Sequence, residues 1–314
     1  MSRVLNMHPE IVSFGESAFW GRGYVEPETE AGYTRQQLDT LAVHCEERSW
    51  GPHSKKEGSL KSVNEDGYGG FAPTAIAESI RELNEPATPK QVFDEICKGF
   101  MEGDSKQYPV EKTPHHMNWV DRILDVYPDA KFIVMLRPAY DFMFSYKYQG
   151  AQKSVENRGV FKKLYHPLVC SLVWRGYIRS YFSLKEKRAD HCVFIWTDEL
   201  KSDEKGALER VQEFLEVEQA DIAGQVLKAN SSFSKNVLNE KREMTAADYF
   251  WMNLLCKKYI KRCGHEIKRT PLGLFSVGKS FVVMPFWLVR NRSVLKKVSQ
   301  GSFFRYVKHW IVGR

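Results

Sequence analysis

The sequence lacks the cysteine patterns that bind metal ions or form redox pairs. Its six cysteines include no Cys-x-x-Cys pair and no Cys/His cluster at zinc-ligand spacing. Cys256 and Cys263 lie in a stretch predicted to be helical, at a spacing more typical of one buried helix face than of a redox pair. We therefore expect neither a structural zinc site nor a metal cofactor.

Acidic residues are missing from the end of the chain. Residues 267–314 contain ten Lys or Arg and no Asp or Glu, which leaves 36 basic against 39 acidic residues in the first 266. The net charge of +7 therefore belongs to the end of the chain and not to its body. Because a nucleic-acid-binding domain is expected to be basic itself, we predict no nucleic-acid partner.

The sequence also has no clean hydrophobic run of membrane-spanning length. The nearest candidate, Pro271–Val289, contains Lys279, two glycines and two prolines, and falls short of the about 20 apolar residues that a span requires. Aromatic residues alternate with basic ones from Phe286 to Trp310, a pattern typical of a segment lying on an anionic membrane surface. Peripheral membrane contact and packing against the body are the two alternatives for this segment.

The remaining sequence predicts one domain in which helices alternate with a few strands. A chain of 314 residues with 43% apolar content can bury the core of one α/β domain of about 250 residues. We assign residues 1–266 to this domain and residues 267–314 to a basic, aromatic-rich tail.

Local signals place several elements within this domain. Thr34 with Gln37 and Thr88 with Gln91 have capping-box spacing, which predicts helices beginning directly after each threonine. Apolar patterning predicts three further elements. They are a helix over Pro167–Lys187, a strand over Cys192–Trp196 and a helix over Thr245–Cys263.

The most informative segment begins with the apolar run Lys131–Leu136, which predicts a central strand of a parallel sheet. Arg137 follows at the carboxyl end of this strand, where open α/β sheets bind ligands. Pro138 then begins a helix whose free N–H groups favour an anion. Ser145 lies about two turns into that helix and can share the anion if the helix continues past it. We therefore predict a phosphate site formed by Arg137 and Ser145.

This segment resembles the sulfotransferases that use 3′-phosphoadenosine-5′-phosphosulfate. Their pattern is Arg, Asp or Asn, Pro, any residue, an acid, three residues and Ser. Arg137, Asp141 and Ser145 fall at the matching spacing, whereas Pro138-Ala139 replaces the usual Asp-Pro. The resemblance implies a P-loop-like, three-layer α/β/α fold with a central parallel sheet. It also implies that Arg137 and Ser145 bind the 3′-phosphate of the co-substrate.

Three further segments, in the same order, resemble the branch that includes Golgi-type and bacterial enzymes. They are His8–Glu16 (HPEIVSFGE), Glu111–His116 (EKTPHH) and Val193–Asp203 (VFIWTDELKSD). An acceptor hydroxyl needs a general base, and charge growing on the leaving group needs a positioned cation. The resemblance implies Glu16 for the first role and Lys112 for the second.

One part of the family pattern has no counterpart in the sequence. These enzymes begin with a strand and a Pro-Lys/Arg-Ser-Gly-Thr-Thr loop that holds the 5′-phosphosulfate, whereas Met1–Ile11 resembles the end of the helix that follows. The chain is then either an incomplete copy of a complete enzyme or a degenerate relative that binds without catalysing. We favour the first, because loss of a central strand would leave backbone groups and apolar neighbours uncovered.

The acceptor is open at the level of sequence. Sugar hydroxyls are favoured for this branch, ahead of protein tyrosine and small lipids, and the polar, Gly-rich segment Ser49–Thr74 is predicted to be a loop that shapes the acceptor site. For the compartment, we favour the cytoplasm with peripheral membrane contact, and the Golgi lumen is the alternative.

A rival interpretation comes from Gly273–Ser280, which matches the phosphate-loop pattern G-x4-G-K-S of nucleoside-triphosphate enzymes. Such a loop should follow a buried strand and precede a helix. Here polar residues come before it, and Pro285 interrupts the apolar run that follows. We therefore rank a nucleoside-triphosphate enzyme behind both sulfotransferase alternatives.

Overall fold

The fold is taken from a computed structural model of the chain. It describes residues 1–15, 17, 19–47, 73–101, 105–148, 165–223 and 242–291. The chain divides into two compact units. The first consists of Met1–Phe132 with Glu204–Val226, and the second of Ile133–Asp203 with Leu227–Arg314.

Within its described residues, the first unit combines a short parallel pair of strands with six α-helices. The strands are β1 (Ile11–Phe14) and β2 (Tyr108–Glu111). The helices are α1 (Ser2–Leu5), α2 (Arg35–Glu47), α3 (Pro73–Glu82), α4 (Pro89–Met101), α5 (Val120–Val126) and α9 (Glu204–Leu215). Its core is rich in aromatic residues, with Phe14 stacked on Phe100 at 4.0 Å between ring centroids.

The two strands run in the same direction, with Ile11 opposite Tyr108 and Phe14 opposite Glu111. All four residues of β1 are buried, as expected for a strand covered on both faces. The backbone N–H of Ser13 donates to Asn6 Oδ1 at 2.9 Å. A side chain from the turn after α1 therefore satisfies a buried backbone donor of β1.

The second unit contains a second pair of strands and, within its described residues, five α-helices. The strands are β3 (Phe132–Leu136) and β4 (Cys192–Trp196). The helices are α6 (Ala139–Lys147), α7 (Pro167–Lys187), α8 (Glu199–Ser202), α10 (Ala246–Arg262) and α11 (Leu274–Arg290). The Thr197 amide, just after β4, donates to the carbonyl of Leu136, the last residue of β3, at 2.8 Å. The paired strands therefore run parallel, and their carboxyl ends meet.

The predicted α/β class is confirmed, and several elements agree with their sequence signals. Strand β4 and helix α7 have the predicted bounds. Helix α4 begins after Thr88, whose N–H donates to Gln91 Oε1 at 2.8 Å, while the Gln91 N–H donates back to Thr88 Oγ1 at 3.3 Å. Helix α10 begins after Thr245, with Asp248 completing its capping box.

Two sequence interpretations need correction or restriction. The residues of the phosphate-loop match from Leu274 to Ser280 lie inside α11, so they form helix rather than a loop that surrounds a phosphate. The predicted loop over Ser49–Thr74 lies outside the described residues except at its end, where Pro73 begins α3. Within the described ranges, no helix is both long and apolar enough to cross a membrane.

Candidate active site

Arg137 lies directly after β3, at the edge where the carboxyl ends of β3 and β4 meet. Its carbonyl accepts a hydrogen bond from Trp174 Nε1 at 2.9 Å, which fixes the backbone at this position. The side chain is exposed, and among the described residues no carboxylate forms an ion pair with it. Desolvation lowers the pKa of Arg137 and the Asp141 carboxylate opposes that shift. A guanidinium is so basic that Arg137 keeps its charge at neutral pH despite this lowered pKa.

Helix α6 begins at Ala139, with Pro138 as its N-cap residue. The amides of its first turn have no partner within the helix, and Arg137 precedes this positive dipole end by two residues. The helix continues to Lys147, so it extends past Ser145, as the predicted phosphate site requires.

The two polar positions of the family pattern lie on one side of α6. Asp141 and Ser145 are four residues apart and are both half-buried, whereas Ala139, Tyr140 and Met143 are buried. Asp141 also approaches Lys201 Nζ at 3.8 Å. Arg137 and the first-turn amides lie at the start of the helix, which suits an anion, whereas the Ser145 hydroxyl lies near its end.

Sequence reasoning missed Thr197. Its Oγ1 atom is buried and makes no hydrogen bond to any described residue, while its amide is bonded to the Leu136 carbonyl beside Arg137. A buried hydroxyl without a partner is costly unless a ligand or water satisfies it. Its position at the end of β4 was the available signal, because strand ends in parallel sheets bind ligands.

The first unit brings together the two segments that bear the predicted base and cation. Lys112 directly follows β2, and its amide donates to the Phe14 carbonyl at the end of β1 at 3.1 Å. The Lys112 side chain is half-buried. Glu16 itself lies outside the described residues, but it comes two residues after Phe14 in the sequence. Both segments therefore leave the same edge of a parallel pair.

A buried carboxylate, Glu111, connects these two segments. Its Oε1 atom accepts hydrogen bonds from the Ser17 amide and the Ser17 hydroxyl, both at 2.7 Å, and from the Thr113 hydroxyl. Its Oε2 atom lies 2.9 Å from His116 Nδ1. We call these four residues, Ser17, Glu111, Thr113 and His116, the Glu111 cluster.

Electrostatics favour the ionised form of Glu111. Burial raises the pKa of Glu111. The hydrogen bond and charge of His116, together with the hydrogen bonds from Thr113 and Ser17, outweigh this effect and lower the pKa below its usual value. His116 is 8% exposed, and its Nε2 atom has no hydrogen-bond partner among the described residues. The cluster is therefore a charged, water-poor junction between the segments of Glu16 and Lys112.

The residues predicted for the site thus fall in two groups, each with its own chemistry. Arg137 and Ser145 belong to the segment of β3 and α6, and Lys112 belongs to the junction organised by Glu111. Among the described residues, no group of three or more His, Cys, Asp or Glu side chains is placed to hold a metal ion.

Comparison with known proteins gives one family match. A family model described as the sulfotransferase family matches residues 1–221. This range is more than half of the chain and contains the four strands of the described residues and every residue predicted for the site. A comparison with curated proteins gave no match.

Two solved structures are similar over most of the chain. The sulfotransferase domain from the Synechococcus PCC 7002 olefin synthase is 14% identical, with 85% of this chain and 90% of that chain covered and a TM-score of 0.48. The sulfotransferase domain from the curacin biosynthetic pathway is also 14% identical, with 85% of this chain and 93% of that chain covered and a TM-score of 0.49.

Proposed function

Because the chain belongs to the sulfotransferase family, a family of transferase enzymes, we propose that it moves a sulfuryl group from 3′-phosphoadenosine-5′-phosphosulfate to an acceptor hydroxyl. The observation that supports this donor is the position of Arg137. Arg137, which has no ion-pair partner among the described residues, precedes by two residues the helix α6, whose first-turn amides have no partner within the helix. Guanidinium and amide groups together bind phosphate well.

Each proposed residue has a distinct task. Arg137 and Ser145 hold the 3′-phosphate, which fixes the nucleotide for in-line transfer. When bound, the co-substrate supplies an activated sulfuryl group on a phosphate leaving group. Glu16 takes the acceptor proton as the new oxygen–sulfur bond forms. Lys112 neutralises negative charge that develops on the bridging oxygen as the sulfur–oxygen bond to the leaving phosphate breaks.

Substitution of Arg137 tests the donor. We expect Arg137→Ala to weaken binding of adenosine 3′,5′-bisphosphate at least about tenfold, because a hydrogen bond to a charged group contributes about 1.5–3 kcal/mol. The affinity for adenosine 5′-phosphate, which lacks the 3′-phosphate, should be nearly the same in wild type and Arg137→Ala. Isothermal titration calorimetry measures both ligands.

A matched control separates this effect from general loss of charge. Arg210 is exposed on α9 and has no role in the proposed site, so Arg210→Ala should leave both affinities unchanged. Equal affinity of wild type and Arg137→Ala for the bisphosphate would overturn the donor assignment.

We propose a sugar hydroxyl as the acceptor, because the segments around Glu16 and Lys112 resemble the branch with Golgi-type enzymes. An assay with sulfur-labelled donor and a panel of glycans, phenols and lipid alcohols tests this choice. Transfer to phenols alone would replace the acceptor class and leave the reaction type intact. Nucleotide binding without transfer to any acceptor would favour the alternative, an inactive binding relative.

A further inference from the structure

Helix α11 presents an exposed apolar stripe to the outside of the second unit. The stripe consists of Phe275, Val282, Phe286 and Val289, which are 84%, 67%, 73% and 77% exposed. Their spacing of seven, four and three residues places them on one side of a helix. We call these four residues the α11 stripe, and it extends over about 20 Å of helix axis.

The opposite side of α11 is packed and hydrogen-bonded. Trp287 is buried against the ring of His166, and the Ser280 hydroxyl accepts a hydrogen bond from Trp251 Nε1 at 2.9 Å. These contacts fix the rotation of the helix. Because the other face of α11 is packed, the α11 stripe is turned outward. Exposure of so much apolar surface is unfavourable in water, and contact with a binding partner would remove this penalty.

The charges around the stripe indicate what it contacts. Lys279 and Arg290 are exposed on the same helix, and residues 267–314 contain no acidic side chain. We propose that the α11 stripe lies on an anionic membrane surface, with its aromatic residues in the headgroup region and the basic side chains on lipid phosphates. A second copy of the chain is a poorer partner, because two such basic segments would face each other and repel.

Vesicle flotation with the full chain tests this proposal. We expect binding to vesicles of phosphatidylcholine with about one third phosphatidylserine, because this anionic lipid attracts basic side chains. Phe286→Ser should weaken binding about tenfold, because burial of an aromatic ring is lost. Leu254→Ser removes another exposed hydrophobic residue, 60% exposed on α10, and should leave binding unchanged.

Three outcomes would overturn the proposal. They are no vesicle binding by the wild type, equal binding by wild type and Phe286→Ser, and equal loss in Phe286→Ser and Leu254→Ser. Light scattering measures the oligomeric state and so tests whether a second copy of the chain covers the α11 stripe. A dimer in solution that Phe286→Ser dissociates would assign the stripe to a second copy instead.

The Glu111 cluster supports a second, independent inference, which rests on the proposed function. Ser17 directly follows Glu16, and Glu111 directly precedes Lys112. The Glu111 carboxylate therefore accepts hydrogen bonds from the residue next to the proposed base. Glu111 is also the chain neighbour of the proposed cation, Lys112. We infer that Glu111 is a positioning residue that sets the spacing between the Glu16 and Lys112 segments.

Two measurements on Glu111→Gln test this inference. The first is hydrogen exchange, in which the Ser17 amide should exchange at least about tenfold faster, because its charge-assisted hydrogen bond is weakened. Amides of α7 should not change. The second is sulfuryl transfer, in which kcat should fall about tenfold or more while the affinity for adenosine 3′,5′-bisphosphate is retained.

Glu111→Asp completes the test. The shorter side chain keeps the charge but does not extend as far toward Ser17, so this variant should recover only part of kcat. Unchanged Ser17 exchange in Glu111→Gln would overturn the inference, and so would faster exchange with wild-type kcat. If the wild type transfers no sulfuryl group, the proposed function fails, but Ser17 exchange still decides whether Glu111 holds the two segments together.

Discussion

Glu111 is the residue at which burial and charge conflict most directly. A carboxylate removed from water is costly unless hydrogen bonds stabilise its ionised form. Here Ser17, Thr113 and His116 supply those bonds, and their combined effect lowers the pKa of Glu111 despite burial. The free energy of unfolding therefore depends on the ionisation of this side chain.

The sign of that dependence follows from the lowered pKa. The stabilisation is complete above the usual glutamate value of 4.5 and is lost as the pH falls through the lower folded-state value. Glu111→Gln should reduce the free energy of unfolding by about 1.5–3 kcal/mol at pH 7. The difference from wild type should shrink below about pH 4.5, which urea denaturation at several pH values measures.

An exposed glutamate provides the control for this pH series. Glu26 pairs with Arg122 at 2.7 Å, but its side chain is 72% exposed. Glu26→Gln should change the stability by less than about 1 kcal/mol, since surface ion pairs contribute little. A Glu111→Gln difference that stays constant from pH 7 to the acid limit would contradict the assignment of charge to this carboxylate.

Glu16 has the most specific prediction at the residue scale. Removing a general base slows the chemical step without removing contacts to the nucleotide. Glu16→Gln should therefore retain the affinity for adenosine 3′,5′-bisphosphate and lower kcat by about 100-fold or more. Single-turnover transfer of labelled sulfuryl groups measures the step, and wild-type kcat in the variant would mean that another group acts as the base.

At the scale of elements, two glycines within helices have opposite surroundings. A Cβ atom at Gly99 of α4 would overlap the side chain of Ile76, which is buried in α3. A Cβ atom at Gly278 of α11 would meet no atom within 4 Å. Close packing between α3 and α4 therefore requires glycine at position 99, whereas position 278 has no such requirement.

The same substitution should then have opposite effects at the two positions. Gly99→Ala should destabilise the protein by about 1–3 kcal/mol, because the α3–α4 contact becomes overpacked. Gly278→Ala should stabilise α11 by up to about 1 kcal/mol, since alanine favours helix more than glycine does. Thermal and chemical denaturation compare them, and destabilisation of similar size in both would argue against the α3–α4 packing described above.

The elements that the sequence predicts well are those with local signals. The apolar run of β4, the long patterns of α7 and α10 and the threonine cap of α4 depend on neighbouring residues, and these elements agree with the structure. Helix α11 is different, because Pro285 lies inside it, a position where proline removes a backbone donor. Packing of Trp287 against His166 stabilises the helix in spite of this penalty.

The site divides in the same way between local and distant information. Arg137 and Ser145 belong to one short segment, so their spacing could be recognised in the sequence. Helix α6 continues past Ser145, as the predicted phosphate site requires. The Glu111 cluster depends on a contact between Ser17 and Glu111 across 94 positions of sequence. No periodicity reports such a contact, because it arises only when β1 and β2 pair.

At the scale of the whole molecule, charge is segregated along the chain. The first 266 residues have 36 basic and 39 acidic side chains, and the last 48 have ten basic side chains and no acidic one. An anionic surface would therefore attract the end of the chain and weakly repel the body. This asymmetry favours attachment in one orientation, through α11 and the residues that follow it.

Salt dependence of vesicle binding distinguishes this electrostatic attraction from hydrophobic contact alone. The screening length falls from about 10 Å at 0.1 M salt to about 3 Å at 1 M, so affinity for anionic vesicles should fall at least about tenfold over that range. The α11 stripe should retain weak binding at high salt, since apolar burial is not screened. Lys279→Gln combined with Arg290→Gln should flatten the salt dependence, because each basic group near the surface contributes about 1 kcal/mol at low salt. Binding that does not change with salt would leave the stripe as the sole contact and remove the charged residues from the interface.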